Sequence, residues 1–134
     1  MNTLTVTARD AANNRTTATL SVTLTTPTVA FTDDPIVSQV TVVKAIHLHE
    51  LRAAISACRA LQGLPPFVWT DATITPGVTA FRAVHLTELR TALGQAYQAA
   101  GRATPTYSDP VVASEVTTIR ASHINELRAA VRAF

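Results

Sequence analysis

Residues 44–52 read Lys44-Ala45-Ile46-His47-Leu48-His49-Glu50-Leu51-Arg52, and this stretch decides the fold because it returns twice. The copies are Arg82-Ala83-Val84-His85-Leu86-Thr87-Glu88-Leu89-Arg90 and Arg120-Ala121-Ser122-His123-Ile124-Asn125-Glu126-Leu127-Arg128. Each lies 38 residues beyond the last, with no insertion or deletion. A fixed period of this length marks a repeat architecture in which each unit is one small structural element. Extending the shift outward aligns Phe31, Trp69 and Tyr107, then Asp33, Asp71 and Asp109, each preceded by Thr32, Thr70 or Ser108. Ile36, Ile74 and Val112 also align, as do Val40-Thr41, Val78-Thr79 and Val116-Thr117. The units are therefore 31–68, 69–106 and 107–134.

The punctuation of each unit predicts one helix. Thr41, Thr79 and Thr117 are candidate N-caps, since a hydroxyl there accepts an orphan backbone N–H. Gly63 and Gly101 stand where a C′ glycine ends a helix, and Leu64-Pro65-Pro66 cannot continue one. The spacing predicts helices at 42–62, 80–100 and 118–134. The first two would be about 30 Å long at 1.5 Å per residue. At 100° per residue, Val43, His47, Leu51, Ala54, Ile55 and Cys58 share a face flanked by Leu48. The later units repeat that face with Phe81, His85, Leu89 and Leu93, then Ile119, His123, Leu127 and Val131. Three such stripes bury one another in a small three-helix core. The linkers wrap around it, and the aromatic at each head plugs the gap between neighbours. In the linkers, Asp33, Asp71 and Asp109 are expected to cap a short turn or 3₁₀ segment, and Pro76-Gly77 to make a turn.

The repeated polar side chains are the candidate site. Lys44, Arg82 and Arg120 fall in the first helical turn, where the dipole disfavours a cation, so each needs a partner. Asp33, Asp71 and Asp109 are the best candidates, in bridges that lock linker to helix. His47, His85 and His123 lie on the apolar face, three residues before Glu50, Glu88 and Glu126. One reading is structural: a ring nitrogen donates to a carboxylate or carbonyl and ties helix to linker. The other is a metal site in which the three histidines converge. The structural reading is preferred, and no cofactor is expected. Arg52, Arg90 and Arg128 are expected to pair with linker carbonyls or to remain solvated. His49 aligns with Thr87 and Asn125 and reads as a solvated residue.

Residues 1–30 differ from the rest. Leu4, Val6 and Ala8 alternate with threonines, and Ala18, Leu20, Val22 and Leu24 do so again. A period of two predicts two strands, with Asp10–Asn14 as the turn between them. The chain is thus a β-hairpin at 1–30 followed by a mainly α domain at 31–134. A hairpin needs cover for its face and edges. It either folds back on the helices or adds strands to another chain, making a homo-oligomer or polymer.

Composition sets the outer limits. The chain has 134 residues, 47% hydrophobic and 15% charged, which is enough to bury a core. A net charge of +2, with the arginines spread out, argues against nucleic acid. No apolar run is long enough for a membrane span. A single cysteine, Cys58, excludes an intrachain disulfide. Four glycines make no phosphate loop, and no nucleophile has an activating base at a telling spacing, so an enzyme is not expected.

Two resemblances add to this reading. The stretch NTLTVTARDAANNRTTATLSVTLT resembles the last two strands of a bacterial immunoglobulin-like domain. The TD-x-x-[IV] heads and [KR]-A-x-H-[LI]-x-E-L-R helices look like repeats near the C-terminal ends of large secreted bacterial proteins. They also resemble, more distantly, S-layer homology units, which occur in threes and open with an aromatic-x-Asp. That family's "T-R-A-E" helix start contacts cell-wall polymer. Thr79 to Ala83 and Thr117 to Ala121 echo it, with histidine where the family has glutamate. The resemblances imply a structural or adhesive module of a secreted or cell-surface protein, able to self-assemble. A wall glycan held through Lys44, Arg82 and Arg120 is the alternative. No signal peptide is read at Met1, so the extracellular placement rests on the resemblance.

Overall fold

A computed structural model describes residues 2–22, 29–113 and 118–134. The order is a two-stranded hairpin, β1 (Asn2–Arg9) and β2 (Arg15–Val22), then three helices. These are α1 (Ala45–Leu61), α2 (Ala83–Ala99) and α3 (Ala121–Ala133). The fold is mainly α, a small bundle preceded by the hairpin, as the repeat and the alternation predict.

The strands pair antiparallel from Asn2↔Val22 to Arg9↔Arg15, which sets Leu4 opposite Leu20 and Val6 opposite Ala18. Asp10 builds the turn. Its carboxylate accepts from the Ala12 and Asn14 N–H groups, both at 2.9 Å, and from the Asn14 side chain at 2.8 Å. These bonds hold its pKa below the ordinary carboxylate value. Asn13 takes the left-handed φ of 74° that asparagine tolerates. The part of the second strand expected beyond Val22, including Leu24, lies outside the described residues. The described residues of β1 and β2 pack against no helix. Residues 5–19 are exposed, with Val6 at 57%.

The core is what the three apolar stripes predict. Leu48, Leu51 and Ile55 of α1 meet Leu86, Leu89 and Leu93 of α2 and Ile124, Leu127 and Val131 of α3. Leu48, Leu86 and Ile124 lie fully inside the core, not at its flank. Of the head aromatics, Phe31 is part of the core, and Trp69 and Tyr107 pack at its margin. So does Val29, which brings the edge of the helical domain two residues before Phe31. Gly63 and Gly101 end their helices at φ 65° and 68°. In each case the glycine N–H and the next N–H turn back to Ala60 and Arg59, or to Gln98 and Tyr97, the paired bonds of a Schellman ending.

The helices start three residues later than the threonines suggest. Lys44, Arg82 and Arg120 are the N-cap residues, in extended backbone near φ −110° to −105°. Thr41 and Thr79 instead close a turn in the linker. Their hydroxyls accept from the N–H of Val37 at 3.2 Å and Thr75 at 2.9 Å. Gln39 and Gly77 take equivalent left-handed positions in those turns, at φ 63° and 75°. The third candidate, Thr117, lies outside the described residues.

Candidate functional site

The N-cap work is done by the histidines. The ring Nδ1 of His47, His85 and His123 accepts the backbone N–H of Lys44, Arg82 and Arg120, each at 3.1 Å. This is the reaching-back half of a capping box, made by an imidazole in place of glutamate. A nitrogen that accepts carries no proton, so the network assigns the proton to Nε2 and leaves the ring neutral. Nε2 then donates to the head aspartate: His47 to Asp33 at 3.2 Å, His85 to Asp71 at 3.0 Å and His123 to Asp109 at 2.7 Å. All three imidazoles are fully buried. For His85, burial outweighs the Asp71 bond and lowers the ring's pKa below the usual histidine value.

The same aspartates take the first-turn cations, as the sequence requires. Lys44 Nζ lies 2.9 Å from Asp33 and Arg120 Nη1 lies 3.3 Å from Asp109. Arg82 makes the corresponding close pair with Asp71. The bonds from Lys44, Arg82 and His123 are the largest causes that keep Asp33, Asp71 and Asp109 below the ordinary carboxylate range. Each aspartate places its charge at a helix N-terminus, where the dipole favours it. Among the described residues the aspartate side chains cap no turn of their own, contrary to expectation. Asp33 and Asp71 sit at left-handed φ values of 50° and 51° while their carboxylates reach the helix.

The glutamates do not meet the histidines. They hold the heads of their own units. Glu50 accepts from the Thr32 N–H at 3.1 and 3.0 Å, and from its hydroxyl at 2.5 Å. Glu88 accepts the Thr70 N–H at 2.9 Å, and Glu126 the Ser108 N–H at 3.3 Å. The i, i+3 spacing brings histidine and glutamate onto adjoining faces, but the histidine's two nitrogens are already engaged.

The arginines link the units. Arg52 of the first unit donates to the carbonyls of Asp71 at 2.8 Å and Thr70 at 2.5 Å in the second. Arg90 of the second reaches the Asp109 carbonyl of the third at 2.6 Å. Arg128 of the third returns to the Asp33 and Thr32 carbonyls of the first, at 2.9 and 2.7 Å. Each guanidinium also lies over the aromatic it reaches: Arg52 on Trp69 at 5.0 Å, Arg90 on Tyr107 at 4.2 Å and Arg128 on Phe31 at 4.9 Å. Glu88, Glu126 and Glu50 stand 3.5, 4.0 and 3.7 Å from those guanidinia. One contact set thus runs from unit 1 to 2, 2 to 3 and 3 to 1. A step that returns to its start after three repetitions is a pseudo-threefold rotation.

The seams are not equal. The one from unit 3 to unit 1 has extra bonds. Asn125 accepts the Ile36 N–H at 3.0 Å and donates to the Ile36 carbonyl at 2.8 Å. Arg132 pairs closely with Asp34 and reaches the Val29 carbonyl at 3.3 Å. A second tier lies nearer the helix C-termini and escaped the repeat alignment because its side chains differ. Arg59 donates to the Ala92 carbonyl at 3.1 Å, and Tyr97, 38 residues on, gives its hydroxyl proton to the Ala130 carbonyl at 2.7 Å. The signal was positional: a long donor at the same offset in the first two units.

The comparisons add no relative: the chain matches no family model, no curated protein and no solved structure. Among the described residues no group of three His, Cys, Asp or Glu is placed to hold a metal ion. Both nitrogens of each repeated histidine already bond to protein. Cys58 is buried, and burial raises its thiol pKa, which keeps it in the unreactive thiol form. No described helix is long and apolar enough to cross a membrane.

Proposed function

We propose that the chain is a non-enzymatic structural module of a secreted or cell-surface protein. A rigid three-unit ring carries a projecting hairpin that adds its strands to another copy. The carrying observation is the closed circuit of bonds. Each repeated histidine, aspartate, glutamate and arginine is engaged in fastening linker to helix or unit to unit, which is the use a scaffold makes of such groups. The hairpin supports assembly, since its described residues touch no helix and a bare two-stranded sheet presents unpaired edges. Light scattering of the full chain against concentration tests this, beside a Thr5→Pro variant whose strand cannot continue a ladder. A mass that rises with concentration only in the parent chain is expected. Identical monomeric masses would sink strand addition.

A second reading has its own observation. Lys44, Arg82 and Arg120 have side chains 55%, 54% and 67% exposed. Each is the N-cap residue of its helix. A groove of about 530 Å³ runs beside the first of them, between Lys44 to Ile46 and Pro76 to Phe81. An acidic wall glycan fits such a surface. Co-sedimentation with cell-wall polymer, weakened by salt and lost when the three cations become glutamine, is the result that would favour it.

A further inference from the structure

Of the chain's eleven lysines and arginines, nine are tied to a carboxylate or a backbone carbonyl of the helical domain. Arg9 and Arg15 are the other two. Both are exposed, and among the described residues neither has an ion pair, a hydrogen bond or a ring partner.

The hairpin sets these two charges against each other. Arg9 stands directly opposite Arg15 in the ladder. The Asp10 N–H donates to the Asn14 carbonyl at 3.1 Å, which makes Asp10 and Asn14 a hydrogen-bonded pair. Antiparallel pairs alternate, so Arg9 and Arg15 exchange no backbone bonds, and in such pairs the side chains come closest. Their Cβ atoms are about 4.5–5.5 Å apart, and like charges so placed are destabilising unless an anion sits between them. The acid beside them does not serve. Asp10 has the strand parity of Ala8, not of Arg9, and its two oxygens already take the Ala12 and Asn14 donors inside the turn.

The rest of that face is hydroxyl. Residues two apart share a face, so Arg9 continues the row of Thr7 and Thr5, and Arg15 that of Thr17 and Thr19. Thr7 is paired with Thr17 and Thr5 with Thr19, and all four are exposed. Strand geometry spaces them about 6.8 Å along each strand and about 4.8 Å across. The apolar stripe with Val6, Ala8 and Ala18 lies on the opposite face.

We propose that this face binds a linear acidic glycan, with a uronate carboxylate seated between Arg9 and Arg15 and the neighbouring sugar's hydroxyls laid over the threonines. A guanidinium fork matches the two oxygens of a carboxylate. A threonine hydroxyl both gives and accepts hydrogen bonds, as a sugar hydroxyl does. Nucleic acid and lipid fit less well. Residues 1–30 contain no aromatic on which a base would stack, and the face has no apolar wedge to enter a bilayer. The site is separate from Lys44, Arg82 and Arg120, whose charges are already matched by aspartates.

Backbone amide and arginine Nε–H resonances of the full chain, titrated by NMR at about 50 mM salt, test this. The probes are trigalacturonate, galacturonic acid, maltotriose and a single-stranded oligothymidylate. Trigalacturonate is expected to give saturable shifts at Arg9, Arg15, Thr7 and Thr17, with a Kd on the order of 1 mM for so open a site. Maltotriose, which lacks the anion, is expected to give none. A weaker response to galacturonic acid supports a site that spans more than one sugar, and an equal one overturns the role of the threonine rows. The Arg9→Gln, Arg15→Gln double variant should bind at least about tenfold more weakly, while cross-strand contacts between Val6 and Ala18 show the hairpin intact. Arg9→Lys with Arg15→Lys keeps the charge and loses the fork, so it should fall between the two. The proposal is overturned if trigalacturonate gives no saturable shift at the hairpin, if maltotriose or oligothymidylate binds there as well, or if the double glutamine variant binds unchanged.

Discussion

Replacing Arg52, Arg90 and Arg128 one at a time by methionine removes each guanidinium and keeps most of its apolar stem. The three sites are repeats of one another, so each is a control for the others. Arg128 has a side chain only 1% exposed and gives charged hydrogen bonds to two carbonyls, at 2.9 and 2.7 Å. A hydrogen bond from a charged donor contributes about 1.5–3 kcal/mol net, so two are worth about 3–6 kcal/mol. The methionine recovers some of this through apolar burial, while the orphaned carbonyls and Glu50 recover nothing. The expected loss is therefore about 3–5 kcal/mol at Arg128 and equally at Arg52. At Arg90, with one such bond at 2.6 Å, it is about 1.5–3 kcal/mol. Guanidinium-chloride unfolding followed by helix ellipticity at 222 nm, extrapolated linearly to water, gives the three values. The order Arg52 ≈ Arg128 > Arg90 is the signature of carbonyl clasping. Equal losses at the three sites, or the largest at Arg90, would refute it and return the seam's strength to apolar packing.

Three more outcomes are expected. Stability should fall on acidification in two stages. The unfolded chain protonates His85 near the usual 6.5 while the folded ring resists, so that contribution is full above this pH and shrinks as pH drops through it. Asp33, Asp71 and Asp109 stay ionised in the folded state below the usual 3.8, so theirs is present above that value and lost beneath it. Thermal melts from pH 8 to 3 would contradict both if the midpoint rose on acidification. His85→Leu should cost about 1–3 kcal/mol by leaving the Arg82 N–H without its acceptor, and an unchanged denaturation midpoint would count against histidine capping. Gly101→Ala should cost about 1 kcal/mol from backbone strain alone. Its φ is +68° and an added Cβ meets nothing within 4 Å, so a much larger loss in the same titration would expose an unseen clash.

Much of this was legible in the sequence because repetition triples weak signals. One His-x-x-Glu pair says little. Three at a fixed offset from an aspartate, a cation and an aromatic identify a fastening set, and the Asp–Lys and Asp–Arg bridges followed from helix-dipole reasoning. What misled was local habit. Threonine before a helix usually caps it, but here Thr41 and Thr79 are spent on a linker turn and the imidazole does the capping. The i, i+3 rule paired histidine with glutamate, though both imidazole nitrogens were claimed by groups the spacing does not show: the N-cap N–H and an aspartate 14 residues upstream. The direction of the arginines could not be read either. A guanidinium 18 residues from a carbonyl and one 96 residues away look unrelated in sequence, and only a closed ring makes them equivalent.

That closure carries an arithmetic of its own. A solenoid leaves a vacant face at each end and can lengthen by gene duplication one unit at a time. Here the third unit's arginine already occupies the head of the first. A fourth copy inserted in series would have to pry that clasp apart and widen the turn between all neighbours, weakening every seam at once. The architecture counts to three, so duplication within it is expected to yield a second ring on the same chain instead of a larger one.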